Sequence, residues 1–206
     1  MGDKSKASGT KSEAPEATKE AEPLQKAKAF AIGLLRDIAV AVLIVAVIAS
    51  IGYALTGTWR IAFAVESESM LPHIHVGDLV FVQAPSRTEI ITKEEGKEVG
   101  YKSFGDYGDV IIYRPNGLSS VSPIIHRAIR WVEAGEPMWE SGPPAPHAGY
   151  ITKGDNNPTY DQALLKLEPV RPEWVIGVAK FRIPYVGYAR LIFEFVFVPF
   201  CGELHG

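Results

Sequence analysis

An uninterrupted run of 18 residues without a charged side chain, from Ile38 to Leu55, constrains the fold of this chain more than any other feature. As an α-helix the run would be about 27 Å long, close to the thickness of the hydrocarbon core of a bilayer. A cleavable secretory leader has a shorter apolar core and a shorter preceding segment, so we expect a permanent membrane anchor. The helix can begin earlier, near Ala27, and we assign residues 27–56 to a transmembrane helix.

The cations around this segment are distributed unequally. Only Arg60 lies just beyond the span, whereas seven cations precede it: Lys4, Lys6, Lys11, Lys19, Lys26, Lys28 and Arg36. Because positive residues stay preferentially on the cytoplasmic side, we expect a cytoplasmic N-terminus and a body on the other side of the membrane. Residues 1–26 lack aromatic and β-branched aliphatic side chains. We expect them to form a disordered cytoplasmic tail.

The body, residues 57–188, contains recurring runs rich in Val, Ile, Phe, Tyr and Trp, which favour β-strands. Gly-Asp pairs separate the runs and are typical of turns. The runs are 61–65, 79–82, 110–113, 124–132 and 175–183. This pattern predicts a mainly β fold, a small partly open barrel. A polar stretch of mixed charge at about 85–107 is expected to be an inserted loop or hairpin.

The segment from Val186 to Phe200 is apolar apart from Arg190 and Glu194. Its fifteen residues are few for a bilayer span. We therefore expect residues 189–206 to form an interfacial helix, with a partial second span or a core helix as alternatives.

Composition excludes other classes of protein. The net charge of −3, without a basic stripe, argues against a nucleic-acid partner. His73 and His75 would share one face of an extended segment, as a metal-binding pair does, but no Cys or carboxylate companion lies near in a recognised spacing. We expect neither a metal site nor a cofactor.

Ser69, His126 and an aspartate of the run 154–161 are the residue types of a serine hydrolase. A serine hydroxyl becomes a nucleophile at neutral pH when a base takes its proton and a third group orients that base. Any chain of this length contains scattered Ser, His and Asp residues. The residue types alone therefore leave a structural interpretation open, in which Ser69 caps a turn or helix and His126 is a structural residue of an apolar strand.

Four sequence blocks add specificity: Ser-Glu-Ser-Met-Leu-Pro at 67–72 with Gly77-Asp78, Gly-Asp-Val-Ile-Ile-Tyr at 108–113, His-Arg-Ala-Ile at 126–129, and Thr-Lys-Gly-Asp-Asn-Asn at 152–157. These four blocks follow one another in the order found in the type I signal peptidases, and the chain resembles that family over roughly residues 30–190. His126 stands where the common bacterial enzymes have lysine, so the resemblance is to the archaeal and endoplasmic-reticulum branch. Glu68, where many relatives carry glycine, and His73-Ile74 depart from the family pattern and bear on substrate fit.

The resemblance implies roles for these residues. Ser69 would be the nucleophile and His126 the general base. Asp161 would complete a triad while Asp155 supports the site, although the choice between the two aspartates stays open. From its sequence context, Asp155 is also expected to form a turn in which its side chain bonds local backbone.

The resemblance further places the oxyanion donors at the Ser69 N–H and the Ser67 hydroxyl. Substrate would lie extended along residues 64–68, against Ala64, Val65, Glu66 and Glu68. The implied fold is a signal-peptidase-like, partly open β-barrel with an N-terminal transmembrane helix.

The implied function is that of a membrane-bound serine endopeptidase that removes signal peptides from secreted preproteins after small residues at −1 and −3. Its expected partners are preproteins, the lipid bilayer and, as a further candidate, the protein translocation channel. Its expected place is the cell membrane with an extracellular catalytic domain, or alternatively the endoplasmic reticulum membrane with a lumenal one. The rival hypothesis is a non-enzymatic, membrane-tethered β module that binds extended peptides.

Overall fold

A computed structural model describes residues 17–188 of the chain. The described residues divide into two compact units, with the boundary between Ile48 and Ala49. The expected C-terminal element at 189–206 and the first part of the predicted tail lie outside the described residues.

One long helix, α1 (Ala17–Thr56), has 40 residues. Its part from Lys28 to Thr56 is long and apolar enough to cross a membrane, with a mean hydropathy of 2.7 over an 18-residue window. The helix begins at Ala17 rather than near Ala27, so it includes residues that we assigned to the tail. It ends where Gly57, in the left-handed region with φ 73°, donates its N–H to the Tyr53 carbonyl, a glycine cap.

The body is built on a six-stranded antiparallel sheet, curled into a half-barrel, in the order β1-β2-β8-β5-β6-β7, with a separate hairpin of β3 and β4. The strands are β1 (Ala62–Ala64), β2 (Leu79–Gln83), β3 (Lys102–Ser103), β4 (Asp106–Tyr107), β5 (Val110–Tyr113), β6 (Ile124–Val132), β7 (Gly149–Lys153) and β8 (Val175–Ile183). The short helices are α2 (Lys93–Val99) and α3 (Asp161–Leu164). The predicted mainly β fold with an N-terminal apolar helix is confirmed.

The core lies on both faces of the central strand β5, all four residues of which are buried. Alternate residues of a strand point to opposite faces. Val110 and Ile112 accordingly pack into one apolar cluster with Met70, while Ile111 and Tyr113 pack into a second with Ala128. The second cluster lies on the face that carries the polar site described below.

The stretch at 85–107, expected as a loop or hairpin, contains both a helix and a hairpin. Helix α2 begins with a capping box, in which Thr92 and Glu95 exchange side-chain and backbone hydrogen bonds. It ends at Gly100, a left-handed cap. The hairpin β3-β4 follows. Strand β7 was not among the predicted runs.

Candidate active site

Ser69 lies on the connection between β1 and β2. This connection is folded back on itself, since Val65 donates its N–H to the Asp78 carbonyl and Gly77 donates to the Val65 carbonyl, both at 2.9 Å. Met70, only 1% exposed, anchors the connection in the core beneath Ser69. The serine side chain itself stays partly accessible.

His126 connects Ser69 to Asp161. The Nδ1–H of His126 donates to Asp161 Oδ2 at 2.7 Å, and its Nε2 accepts from the Ser69 hydroxyl at 2.9 Å. A carboxylate can only accept, so Asp161 requires the tautomer with the proton on Nδ1, which leaves Nε2 as a base. Asp161 is fully buried and His126 is 5% exposed. The arrangement is competent to activate a serine hydroxyl.

Two further hydroxyls surround Asp161. The Tyr113 hydroxyl donates to Asp161 Oδ2 at 2.8 Å and the Thr152 hydroxyl at 2.7 Å. Thr152 is itself held by Gln162, whose side-chain amide donates to the Thr152 Oγ1 and whose Oε1 accepts from the Thr152 N–H. Burial, followed by the negative charge of Asp161, raises the pKa of the Tyr113 phenol well above its usual value. Tyr113 therefore remains a hydrogen-bond donor.

These surrounding residues were not predicted from the sequence. Tyr113 and Thr152 both lie within the blocks quoted above, but each has high β-propensity, and neither its type nor its place distinguishes it from an ordinary strand residue. Their positions on the strands relative to His126 could have identified them. In the register of β5, β6 and β7, Tyr113 pairs with Ile124 and Thr152 with Ala128, two residues to either side of His126. All three side chains therefore share one face of the sheet.

Asp155 lies in a different network. Its Oδ1 accepts from Arg127 Nε at 2.8 Å, and its Oδ2 accepts from Arg127 Nη2 at 2.7 Å and is 2.8 Å from His73 Nδ1. The expectation of a local turn bond from Asp155 was wrong. The physical reason is that the Arg127 side chain is fully buried and its charge needs a carboxylate partner.

Arg127 also holds the hairpin and the residue that follows it. Its Nη1 donates to the carbonyls of Ser103 at 2.9 Å and Gly108 at 2.7 Å. Through its contact with Asp155 Oδ2, His73 belongs to the same network. No cluster of three or more metal-binding side chains occurs within residues 17–188.

The turn that carries Asp155 also holds the backbone of Ser69. The Asn156 N–H donates to the Ser69 carbonyl at 2.8 Å, and its side-chain amide donates to the Glu68 carbonyl at 3.2 Å. A Cβ at Gly154 would lie 2.6 Å from the Ser69 carbonyl oxygen, so this close approach requires glycine. The Gly-Asp-Asn-Asn block thus positions the serine from behind.

The two predicted oxyanion donors lie beside the Ser69 hydroxyl. The Ser67 hydroxyl is 3.1 Å from it. Among the hydrogen bonds of the described residues, none uses the Ser69 N–H. Both groups are therefore placed where they could turn to a negative oxygen that forms next to Ser69.

A cleft of about 510 Å³ opens over Ser69 and His126. One wall is formed by β1 and the chain that follows it, and the other by the start of β6 and Leu165. Of the predicted substrate contacts, Ala64, Val65 and Glu66 line the cleft. Glu68 is not among its described lining residues, and its carbonyl is instead bonded to Asn156.

Strand β1 is an edge strand, because in the described sheet it pairs with β2 alone. An edge strand presents N–H and C=O groups that an extended peptide can pair with. Ala64, Val65 and Glu66, expected from the sequence to contact substrate, thus lie on this side of the cleft. The opposite side, which includes Ser122 and Pro123, was not predicted.

No protein-family model matches the chain. Curated proteins similar to it are signal peptidase complex catalytic subunits. SEC11 of Schizophyllum commune is 30% identical over 147 residues, 66% of each chain. SEC11 of Komagataella phaffii is 30% identical over 129 residues, 61% of this chain and 62% of the relative. Human SEC11C is 29% identical over 140 residues, 67% of this chain and 59% of the relative. The matches thus span slightly less than two thirds of these relatives.

Proposed function

Because this chain belongs to the type I signal peptidases, in their archaeal and endoplasmic-reticulum branch, we propose that it is a membrane-bound serine endopeptidase that removes signal peptides from secreted preproteins. The observation that carries this proposal is the pair of contacts of His126, 2.9 Å to Ser69 Oγ and 2.7 Å to Asp161 Oδ2, at a cleft beside an open strand edge.

In the proposed reaction, Ser69 Oγ attacks the scissile carbonyl while its proton passes to His126 Nε2. The carboxylate of Asp161 stabilises the imidazolium that forms. The Ser69 N–H and the Ser67 hydroxyl donate to the oxyanion of the tetrahedral intermediate. His126 then returns the proton to the departing amine, and water hydrolyses the acyl-enzyme by the same steps. Asp155 acts indirectly, because its turn holds the backbone of Ser69.

The substrate lies extended beside β1 and adds a strand to the edge of the sheet. Its −1 and −3 side chains project to the same side, since alternate residues of an extended chain do so. They enter the part of the cleft near Val65 and Met70, two buried side chains of the core. Only small side chains leave the scissile carbonyl within reach of Ser69, so we expect Ala, Gly or Ser at both positions.

The apolar helix from Lys28 to Thr56 anchors the enzyme to the membrane that also holds its substrate. Confinement to one surface raises the effective concentration of each for the other. The sequence predicts the cell membrane, with a cytoplasmic N-terminus and an external body. The likeness to fungal and mammalian signal peptidase complex subunits favours the alternative, the endoplasmic reticulum membrane with a lumenal body.

The proposal is tested with the purified full chain in detergent micelles and a preprotein with a signal peptide that ends in Ala-X-Ala. We expect one cut after the −1 residue, identified by mass spectrometry of both products. Ser69→Ala should abolish cleavage, whereas Ser120→Ala, a change at an exposed serine, should not. Cleavage by Ser69→Ala, or cuts at unrelated positions, would refute the proposal.

A further inference from the structure

Three donors converge on a single oxygen of Asp161. Its Oδ2 accepts from His126 Nδ1–H, from the Tyr113 hydroxyl and from the Thr152 hydroxyl, at 2.7, 2.8 and 2.7 Å. The other oxygen, Oδ1, is buried and has no hydrogen-bond partner among the described residues. The carboxylate is therefore held in one orientation, in which Oδ2 accepts all three hydrogen bonds and Oδ1 accepts none from the described residues.

The two hydroxyls come from the strands on either side of His126. In the sheet, β6 lies between β5, which ends at Tyr113, and β7, which contains Thr152. Asp161 thus contacts three adjacent strands through one atom. Its orientation is set by strand register rather than by its own short helix, which has four residues.

We propose that Tyr113 is a positioning residue for the catalytic relay, whose hydroxyl keeps Asp161 Oδ2 directed at His126 Nδ1. This inference rests on the function proposed above. Without the Tyr113 hydroxyl, the carboxylate can turn toward its unbonded oxygen, and its bond to the imidazole is then broken part of the time. The tautomer with a basic Nε2 loses its support whenever that happens.

The alternative is that Tyr113 has only a packing role. Its ring packs in the apolar cluster with Ile111 and Ala128, a role that phenylalanine would serve equally well. The variant Tyr113→Phe separates the two roles, because it keeps the ring and removes only the hydroxyl. Tyr113 is not among the described residues that line the cleft, so its hydroxyl does not contact the substrate directly.

The chain provides a matched control at Tyr101. Its hydroxyl donates to Asp109 Oδ1, also at 2.8 Å, and Asp109 is 1% exposed. The variant Tyr101→Phe therefore deletes the same kind of hydrogen bond to a buried carboxylate, away from Ser69 and His126. An effect on kcat that arises only from lower stability should appear in both variants. The difference between their kcat values therefore reports the role of the Tyr113 hydroxyl.

The experiment compares the two variants with the unaltered full chain in detergent micelles. We expect Tyr113→Phe to lower kcat by ~10- to 100-fold, the effect of one hydrogen bond to a charged group, with KM unchanged. In chains labelled with ¹⁵N-histidine, the Nδ1 proton resonance of His126 should move upfield and broaden through exchange with water. Tyr101→Phe should leave both kcat and this resonance unchanged.

Unaltered kcat and an unaltered resonance in folded Tyr113→Phe would overturn the inference, as would equal changes in Tyr101→Phe. If Tyr113→Phe does not fold, Thr152→Val, which removes the neighbouring hydroxyl donor, is measured in the same way with the same expected result. The resonance needs no substrate. A chain that does not cleave preproteins but loses the His126 signal in Tyr113→Phe would contradict the proposed function and leave the positioning role standing.

Discussion

His126 and Arg127 are consecutive residues of β6, and each binds a different aspartate of the run 154–161. His126 Nδ1 lies 2.7 Å from Asp161 Oδ2, and Arg127 Nη2 lies 2.7 Å from Asp155 Oδ2. Because neighbouring side chains on a strand point to opposite faces, the strand itself separates a polar relay from a buried ion pair. The two aspartates should consequently fail in different ways when they are changed.

Asp161→Asn should remove activity while the chain stays folded. The asparagine amide retains one oxygen acceptor but favours the wrong imidazole tautomer, a change that costs ~10⁴-fold in turnover in a well-studied serine protease. The measurement is kcat on a preprotein together with the melting temperature. Turnover near that of the unaltered chain would exclude Asp161 from the relay.

Asp155→Ala should destabilise the fold. It leaves the fully buried Arg127 guanidinium without its carboxylate, and breaking a buried pair in this way costs ~3–5 kcal/mol. Chemical denaturation gives the free energy of unfolding. Glu173→Ala serves as the control, because its pair with Arg171 is exposed, with a distance of 3.9 Å, and should contribute less than ~1 kcal/mol. Equal losses in the two variants would contradict the ion-pair interpretation.

Gly154→Ala should lower turnover although it changes none of the side chains of Ser69, His126 and Asp161. The new methyl group would meet the Ser69 carbonyl oxygen at 2.6 Å, so the serine has to shift. A displacement of about 1 Å at a reacting group can cost ~10²-fold in rate. Gly33→Ala, which has open space around it, provides the control in the same cleavage assay. Full activity of Gly154→Ala would show that the turn does not position Ser69.

Alkaline pH should destabilise the body partly through Tyr101. Burial, together with the hydrogen bond to Asp109 and its charge, raises the pKa of Tyr101 from 10.0 to about 12. The unfolded chain then releases this proton at lower pH than the folded chain, so the free energy of unfolding falls between pH 10 and about 12. Tyr101→Phe should lose this part of the slope in denaturation measured from pH 9 upward. Parallel slopes would contradict the assignment.

Much of the fold follows from periodicity and composition. The runs at 110–113, 124–132 and 175–183 coincide with β5, β6 and β8, because β-branched and aromatic residues in short stretches between Gly-Asp turns have few other structures open to them. The family assignment is likewise confirmed by the similar proteins. Helix α2 was missed although Thr92 and Glu95 have the spacing of a capping box, since its seven residues carry no apolar stripe.

The family resemblance indicated Asp161 as the partner of His126, and the structure places the two in contact. The residues alone left the choice open, because Asp155 and Asp161 both lie in the run 154–161 and which carboxylate reaches His126 depends on how β6 and β7 are aligned. The buried charge of Arg127 was equally hidden, because an arginine in a strand is usually taken as solvent-exposed. The contacts of Tyr113 and Thr152 with Asp161 depend on the register of three strands, which the sequence alone does not give.

The brevity of β1 has a further consequence. Its three residues offer only a few main-chain hydrogen bonds, each with a net contribution of about 1 kcal/mol, so in the proposed complex the peptide backbone would be held weakly. A longer open edge would bind cleaved product more tightly and would also favour edge-to-edge association of neighbouring copies. Under the proposed function, a strand this short would leave discrimination to side chains and allow the cleaved chain to dissociate.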